Sequence, residues 1–171
     1  IIGLYHITLF LQRKKDKASL FFGFFCILIV LRFFSTTRYI CMVFPFESKL
    51  FYSIIMKLEY ITAYLTPPVF LTFLKKIFDK EFKTIILKAF QIIGIIFTFL
   101  ALMLPPMWFA ALTHFPLIAV LLCGIIYGVF SISLAVYRKK TGALFALSGL
   151  IFLGIAAIND ALYSSLIIRS A

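Results

Sequence analysis

Arg32, Glu59 and Asp160 each lie inside a long apolar run, with Arg38 toward the end of the first run and Asn159 beside Asp160. A charge at mid-bilayer costs about 2.5–3.5 kcal/mol on insertion scales. Opposite charges at one depth relieve that cost, so these residues predict an intramembrane ion-pair cluster facing the interior of a helix bundle. Such a cluster either pins helix register or switches between two arrangements close in energy. At ~1.5 Å per helical residue, Arg32 stands ~21 Å, Glu59 ~20 Å and Asp160 ~26 Å above the basic end of their segments. Arg38 is about one and a half turns further out, where its head group can snorkel to the interface. Between the charges and the basic end of the third segment are Pro67 and Pro68. Adjacent prolines remove backbone donors and kink a helix, either as a hinge or as a fixed bend.

Other chemistry is not suggested by the residues. The sequence contains no nucleophile elbow, zinc-protease motif or phosphate-binding loop. Neither a metal nor a cofactor is expected. Cys26, Cys41 and Cys123 are odd in number and lack ligand spacing, and Cys26 and Cys123 fall in apolar runs, where thiols pack as small hydrophobes. A catalytic carboxylate dyad is disfavoured, because the nearby Arg32 should keep Glu59 and Asp160 ionised. No enzyme activity is expected of this segment.

The elements that must carry these residues follow from composition. Of 171 residues, 64% are hydrophobic and 13% charged, with mean hydropathy +1.12. A soluble domain carries about 45–50% apolar and 25% charged residues. Disorder is excluded by the 18% aromatic content, and the unbroken apolar runs disfavour an alternating strand barrel. An all-α polytopic transmembrane bundle remains, with helices at about 1–12, 18–43, 52–78, 85–104, 116–137 and 142–168. The first is short and reads as the second half of a cut span, so the chain is expected to be a fragment. Pro105-Pro106 stops the fourth helix, and the stretch 107–115, with Trp108 and His114, reads as an interfacial loop. The glycines of the last two segments, including Gly124 and Gly128, suggest close helix packing.

Charge placement predicts topology. Arg13, Lys14, Lys15, Lys17, Lys75, Lys76, Lys80, Lys83, Lys88, Arg138, Lys139 and Lys140 flank one side, against Arg38, Lys49, Lys57 and Arg169 on the other. The positive-inside rule puts the first group in the cytoplasm and the N-terminus outside. The net charge of +11 therefore reads as a topology signal rather than a nucleic-acid surface, which needs one contiguous basic face. Anionic lipid at the basic loops is an expected partner.

Gly3-Leu4-Tyr5-His6, Leu9-Phe10, the basic turn at 13–17, Leu20, Phe22, Phe25-Cys26 and Arg32 resemble the opening of a known domain. It is the seven-transmembrane domain of bacterial receptors with diverse intracellular signalling modules. Leu58-Glu59-Tyr60, Pro67-Pro68, Phe70-Leu71, Phe73-Leu74, Phe78 and Glu81 resemble its third helix, and Pro105 and Ile158-Asn159-Asp160-Ala161-Leu162 its later ones. The resemblance covers essentially the whole chain, as six segments of a seven-helix domain with the first truncated. It implies a receptor module of the inner (plasma) membrane. Such a module couples an extracytoplasmic domain, binding a carbohydrate or other small molecule, to a cytoplasmic kinase, cyclase or phosphatase. Neither of those domains is in this sequence. A homodimer is one expected assembly. The alternative is a small transporter or channel subunit using Glu59 or Asp160 as a proton or cation site.

Neutralising either Arg32 or Glu59 is expected to impair folding or signalling, and exchanging the two charges to recover part of the loss. If both single variants fold and signal normally, the ion-pair reading is wrong.

Overall fold

A computed structural model describes residues 1–13, 17–36 and 49–164, without the side chains of 49, 106, 107, 110, 111, 114, 157 and 160–164. All regular elements among these residues are helices: α1 (Ile2–Gln12), α2 (Lys17–Thr36), α3 (Lys49–Ile77), α4 (Thr84–Met103), α5 (Pro106–Tyr137) and α6 (Ala143–Ser164). Helices are the form this composition demands, since lipid offers no partner for an unpaired backbone group. Lys17–Thr36, Thr84–Met103 and Phe115–Tyr137 are long and apolar enough to cross a membrane by length and composition. Arg38 and Cys41 lie outside the described residues.

One boundary differs from the sequence reading. Residues 107–115 are helical, so α5 runs 32 residues from Pro106. Proline stops α4 at Leu104 but is well suited to the first turn of the next helix, where its missing donor would be unpaired anyway.

Side-chain contacts set the register. Phe22 meets Phe73 and Phe25 meets Phe70, with ring centroids 5.1 and 4.7 Å apart, so α2 and α3 are antiparallel. Tyr64 stacks on Phe97 at 4.5 Å, and Lys57 reaches Leu102, which makes α3 and α4 antiparallel as well. The α3 helix packs on α2, α4 and α5 and forms the spine of the bundle. Among the described residues, the backbone of α1 contacts α2 alone and that of α6 contacts α5 alone.

Two buried apolar clusters bracket α3. The larger, at the basic end, gathers Leu71, Leu74, Phe78, Phe82, Leu87, Phe90, Ile132, Ala135, Ala143 and Leu150. The smaller, toward the other end, is Tyr64, Ala101 and Phe109.

Small residues permit the closest crossings. A Cβ on Gly23 would stand 2.7 Å from the Ile7 side chain and 2.9 Å from the Gly3 carbonyl, so α1 and α2 meet through glycine. Gly124 faces Pro67 and Phe90, and Gly128 faces Leu150, in agreement with the packing reading. Gly149 and Gly142 have nothing within 4 Å and are not packing positions. Gly142 instead supplies a left-handed backbone (φ 78°) in the turn between α5 and α6. That turn begins with Lys139 at φ 52°. Its amide donates to Val136 and the Lys140 amide to Ala135, which satisfies the end of α5. Cys123, expected in the core, is exposed on α5 instead, while Cys26 is half-buried.

Gly23→Leu should force α1 off α2 and lower stability by about 1–3 kcal/mol, the usual range for overpacking. Thermal unfolding of the purified protein checks this, with Gly149→Leu as the control that changes little.

Candidate functional site

The polar side chains of the bundle concentrate on α3. At its far end Lys57 Nζ donates to the Leu102 carbonyl at 2.8 Å and caps the C-terminus of α4, where a cation is favoured by the helix dipole. Two residues on is Glu59, half-buried. Thr62, fully buried, donates to the Leu58 and Glu59 carbonyls. Thr66 does the same to Thr62, and Thr72 to Pro68. Back-bonding of this kind tends to bend a helix. Gln91 of α4 then donates to Thr72 Oγ1 at 3.0 Å.

Pro67 and Pro68 lie inside this threonine series, and α3 continues past them to Ile77. Each proline lacks the amide that would serve the carbonyl four residues earlier, so Ala63 and Tyr64 lose their intrahelical donors. Gly94 of α4 lies against the second of these sites: a Cβ there would be 3.1 Å from both the Tyr64 oxygen and the Pro68 ring. One turn before Pro68, the Tyr64 side chain is fully buried, stacks on Phe97 and donates its hydroxyl to the Thr113 carbonyl at 2.8 Å. That bond ties α3 to α5.

The intramembrane charges fall as follows. Extending the Phe22–Phe73 and Phe25–Phe70 pairing sets Arg32 level with Ala63 and Glu59 level with Thr36. Arg32 and Glu59 are thus about one turn, ~6 Å, apart along the axis, a gap the arginine stem can span. Both are half-buried and both are engaged in polar or charged interactions. Asp160 belongs to α6, whose backbone contacts among the described residues are with α5 rather than with α2 or α3. Its side chain lies outside the described residues, and its neighbour Asn159 is exposed. Register nevertheless relates the three carriers. Phe25, Thr66 and Leu153 line one cavity between α2, α3, α5 and α6. Arg32, Glu59 and Asp160 are each seven residues from one of them, in the outward direction. Seven residues is nearly two full turns, so Arg32 and Glu59 keep the faces of Phe25 and Thr66.

A second charged site, which the sequence reading did not single out as a pair, closes the basic end. The Glu81 side chain is wholly buried in the loop between α3 and α4, and Oε1 is 3.5 Å from Nη1 of Arg138 just past the end of α5. Glu81 Oε2 is buried without a hydrogen-bond partner. Phe82 next to it is buried edge-on to Tyr127, whose hydroxyl accepts the Lys83 amide at 2.8 Å. The loop is therefore folded over α5. Glu81 and Arg138 are 57 residues apart in sequence, and the only available hint was an acidic residue among lysines. No group of three or more potential metal ligands occurs among the described residues.

A family model described as 7TM diverse intracellular signalling matches residues 1–171. The chain belongs to that family. No curated protein and no solved structure gives a significant match to it. Membership in the 7TM diverse intracellular signalling family, with its apolar helices, makes this a membrane protein of a signalling class. Within it, Glu59 on α3 and Glu81 in the loop after α3 lie on either side of the proline pair.

Arg138→Gln should destabilise more than Glu81→Gln, because it leaves a buried carboxylate unpaired, whereas the half-exposed arginine regains water. The double variant should approach the Glu81→Gln value. Unfolding of all three variants by the same denaturant measures the order. Tyr64→Phe should cost about 0.5–1.5 kcal/mol, the net value of one neutral hydrogen bond.

Proposed function

We propose that this chain is the signal-transducing transmembrane module of a bacterial sensor receptor in the inner (plasma) membrane. It acts between an extracytoplasmic ligand-binding domain and a cytoplasmic output domain. In this reading the basic loops face the cytoplasm and the N-terminus lies outside. The segment itself catalyses nothing, and a two-component or cyclase pathway is served by the output domain. The ligand is a small molecule or carbohydrate held outside the bilayer.

The observation that carries the reading is the construction of α3. It touches α2, α4 and α5 and bears Glu59 near one end. The proline pair interrupts its ladder in the middle. At the other end it leads into the loop locked by Glu81 and Arg138. A change in the far-end contacts of Arg32 and Glu59 tilts the segment above the prolines against the segment below. The lower segment carries the α3–α4 loop with it. Ligand then works by favouring one of two packings, and its effect cannot exceed its differential affinity for the two.

In a full-length receptor with its own output domain, replacing both Pro67 and Pro68 by Ala should leave the protein in the membrane and reduce ligand-dependent output severalfold. An output response unchanged by this substitution would remove α3 bending from the mechanism.

A further inference from the structure

The apolar span of α5 ends at Tyr137, whose ring is exposed, and the next three residues are Arg138, Lys139 and Lys140. Tyrosine at the end of a span sits at headgroup level, so these three cations stand at the depth of lipid phosphates. They are gathered rather than strung out. Lys139 is left-handed, and the Lys139 and Lys140 amides donate to Val136 and Ala135, so the backbone turns within two residues. Ala143, fully buried, then starts α6. All three cations remain exposed.

The α3–α4 loop brings two more cations to the same place. Glu81 reaches Arg138, and the Lys83 amide donates to the Tyr127 hydroxyl of α5. Lys80 and Lys83, both exposed, therefore lie beside the residue that touches the turn. The carboxylates count as well. Glu81 is wholly buried and its charge is matched by Arg138, which leaves Lys80, Lys83, Lys139 and Lys140 against the exposed Asp79. Arg138 is spent as a charge but not as a donor. One Nη1 contact at 3.5 Å, on a side chain 49% exposed, leaves most of its five N–H groups for an outside acceptor. A surplus of positive charge around a planar donor fork suits a phosphate. The exposed neighbours of the turn, Tyr137, Leu144 and Phe145, are large and apolar. They suit the acyl chains below a lipid phosphate better than the surface of an acidic soluble protein.

We infer that the α5–α6 turn and the α3–α4 loop together bind the phosphate of an anionic phospholipid in the leaflet at the basic end. Arg138, Lys139 and Lys140 hold it from one side, and Lys80 and Lys83 from the other. A lipid so held joins the loop to the turn alongside the Glu81–Arg138 contact. The site requires membrane residence and is independent of the signalling role proposed above.

The test is native mass spectrometry of the full-length protein extracted from bilayers of mixed phosphatidylglycerol and phosphatidylcholine. Phosphatidylglycerol should survive extraction in preference to phosphatidylcholine. Lys139→Gln combined with Lys140→Gln should lower its retention about 25-fold, at about fivefold for each lysine near an anionic headgroup. Lys80→Gln combined with Lys83→Gln should give a similar loss from the facing loop, so misfolding of one double variant leaves the other informative. Arg13→Gln combined with Lys17→Gln removes the same charge from the turn between α1 and α2. Among the described residues neither of those helices makes backbone contact with α5, and this pair should leave retention unchanged. An equal loss in all three double variants would overturn the site, because lipid would then be drawn by net charge alone. Retention unchanged in both site variants would place the lipid elsewhere and also overturn it. Equal retention of the two lipids by the unaltered protein would overturn the anionic chemistry. Excess inorganic phosphate should leave the lipid in place, and displacement by it would assign the site to a soluble phosphate instead.

Discussion

A polar group inside a bilayer must find its partner within the protein, and α3 is organised by that constraint. Two prolines deprive Ala63 and Tyr64 of their usual donors, in a stretch where the other polar groups are tied down. Thr62, Thr66 and Thr72 turn their hydroxyls back onto the helix. Gly94 brings the backbone of α4 against the Tyr64 carbonyl. The Tyr64 hydroxyl, which would otherwise be buried and unpaired, reaches across to Thr113. An interrupted helix is thereby held at the centre of the bundle by bonds to two neighbours. Those same bonds are the contacts that must change if it bends.

The two ends of α3 are held differently. At the far end Lys57 on the α4 terminus is a cation at a favourable dipole, and Arg32 and Glu59 come within a turn of each other. At the basic end a carboxylate is buried under a folded loop against an arginine whose side chain is 49% exposed. An arginine that retains half its contact with water is more easily withdrawn than a fully buried one. The loops there also hold the greatest density of lysine and arginine, and Glu81 offsets part of their mutual repulsion. Phe78 and Phe82, both nearly inaccessible, add apolar packing at this end.

Asp160 illustrates the difference between sharing a level and sharing a contact. Helical spacing puts it two turns outward from Leu153, as Arg32 is from Phe25 and Glu59 from Thr66. Of the carrier helices, α2 and α3 pack on each other, whereas the backbone contacts of α6 are with α5. A depth count can bring ionisable groups to one layer of the membrane. Lateral distance depends on which helices are neighbours.

Much was legible in the amino-acid sequence because the bilayer imposes strong and local rules. The shortage of charge dictates membrane residence, the apolar runs dictate helices, proline dictates where α4 stops, and motifs such as Leu58-Glu59-Tyr60 and Ile158-Asn159-Asp160 carry the family. Helix faces were not legible. In water an amphipathic pattern marks the buried side, but in lipid both sides of a helix are apolar. The exposed Cys123 and buried Gly128 of α5 therefore look alike in sequence. For the same reason only the tertiary structure shows that α1 meets α2 through Gly3 and Gly23, and that Gly149 meets nothing. It also decided the fate of Glu81. Burying that carboxylate requires Arg138, Phe82 and Tyr127 to converge from distant positions, and no local preference encodes such a meeting.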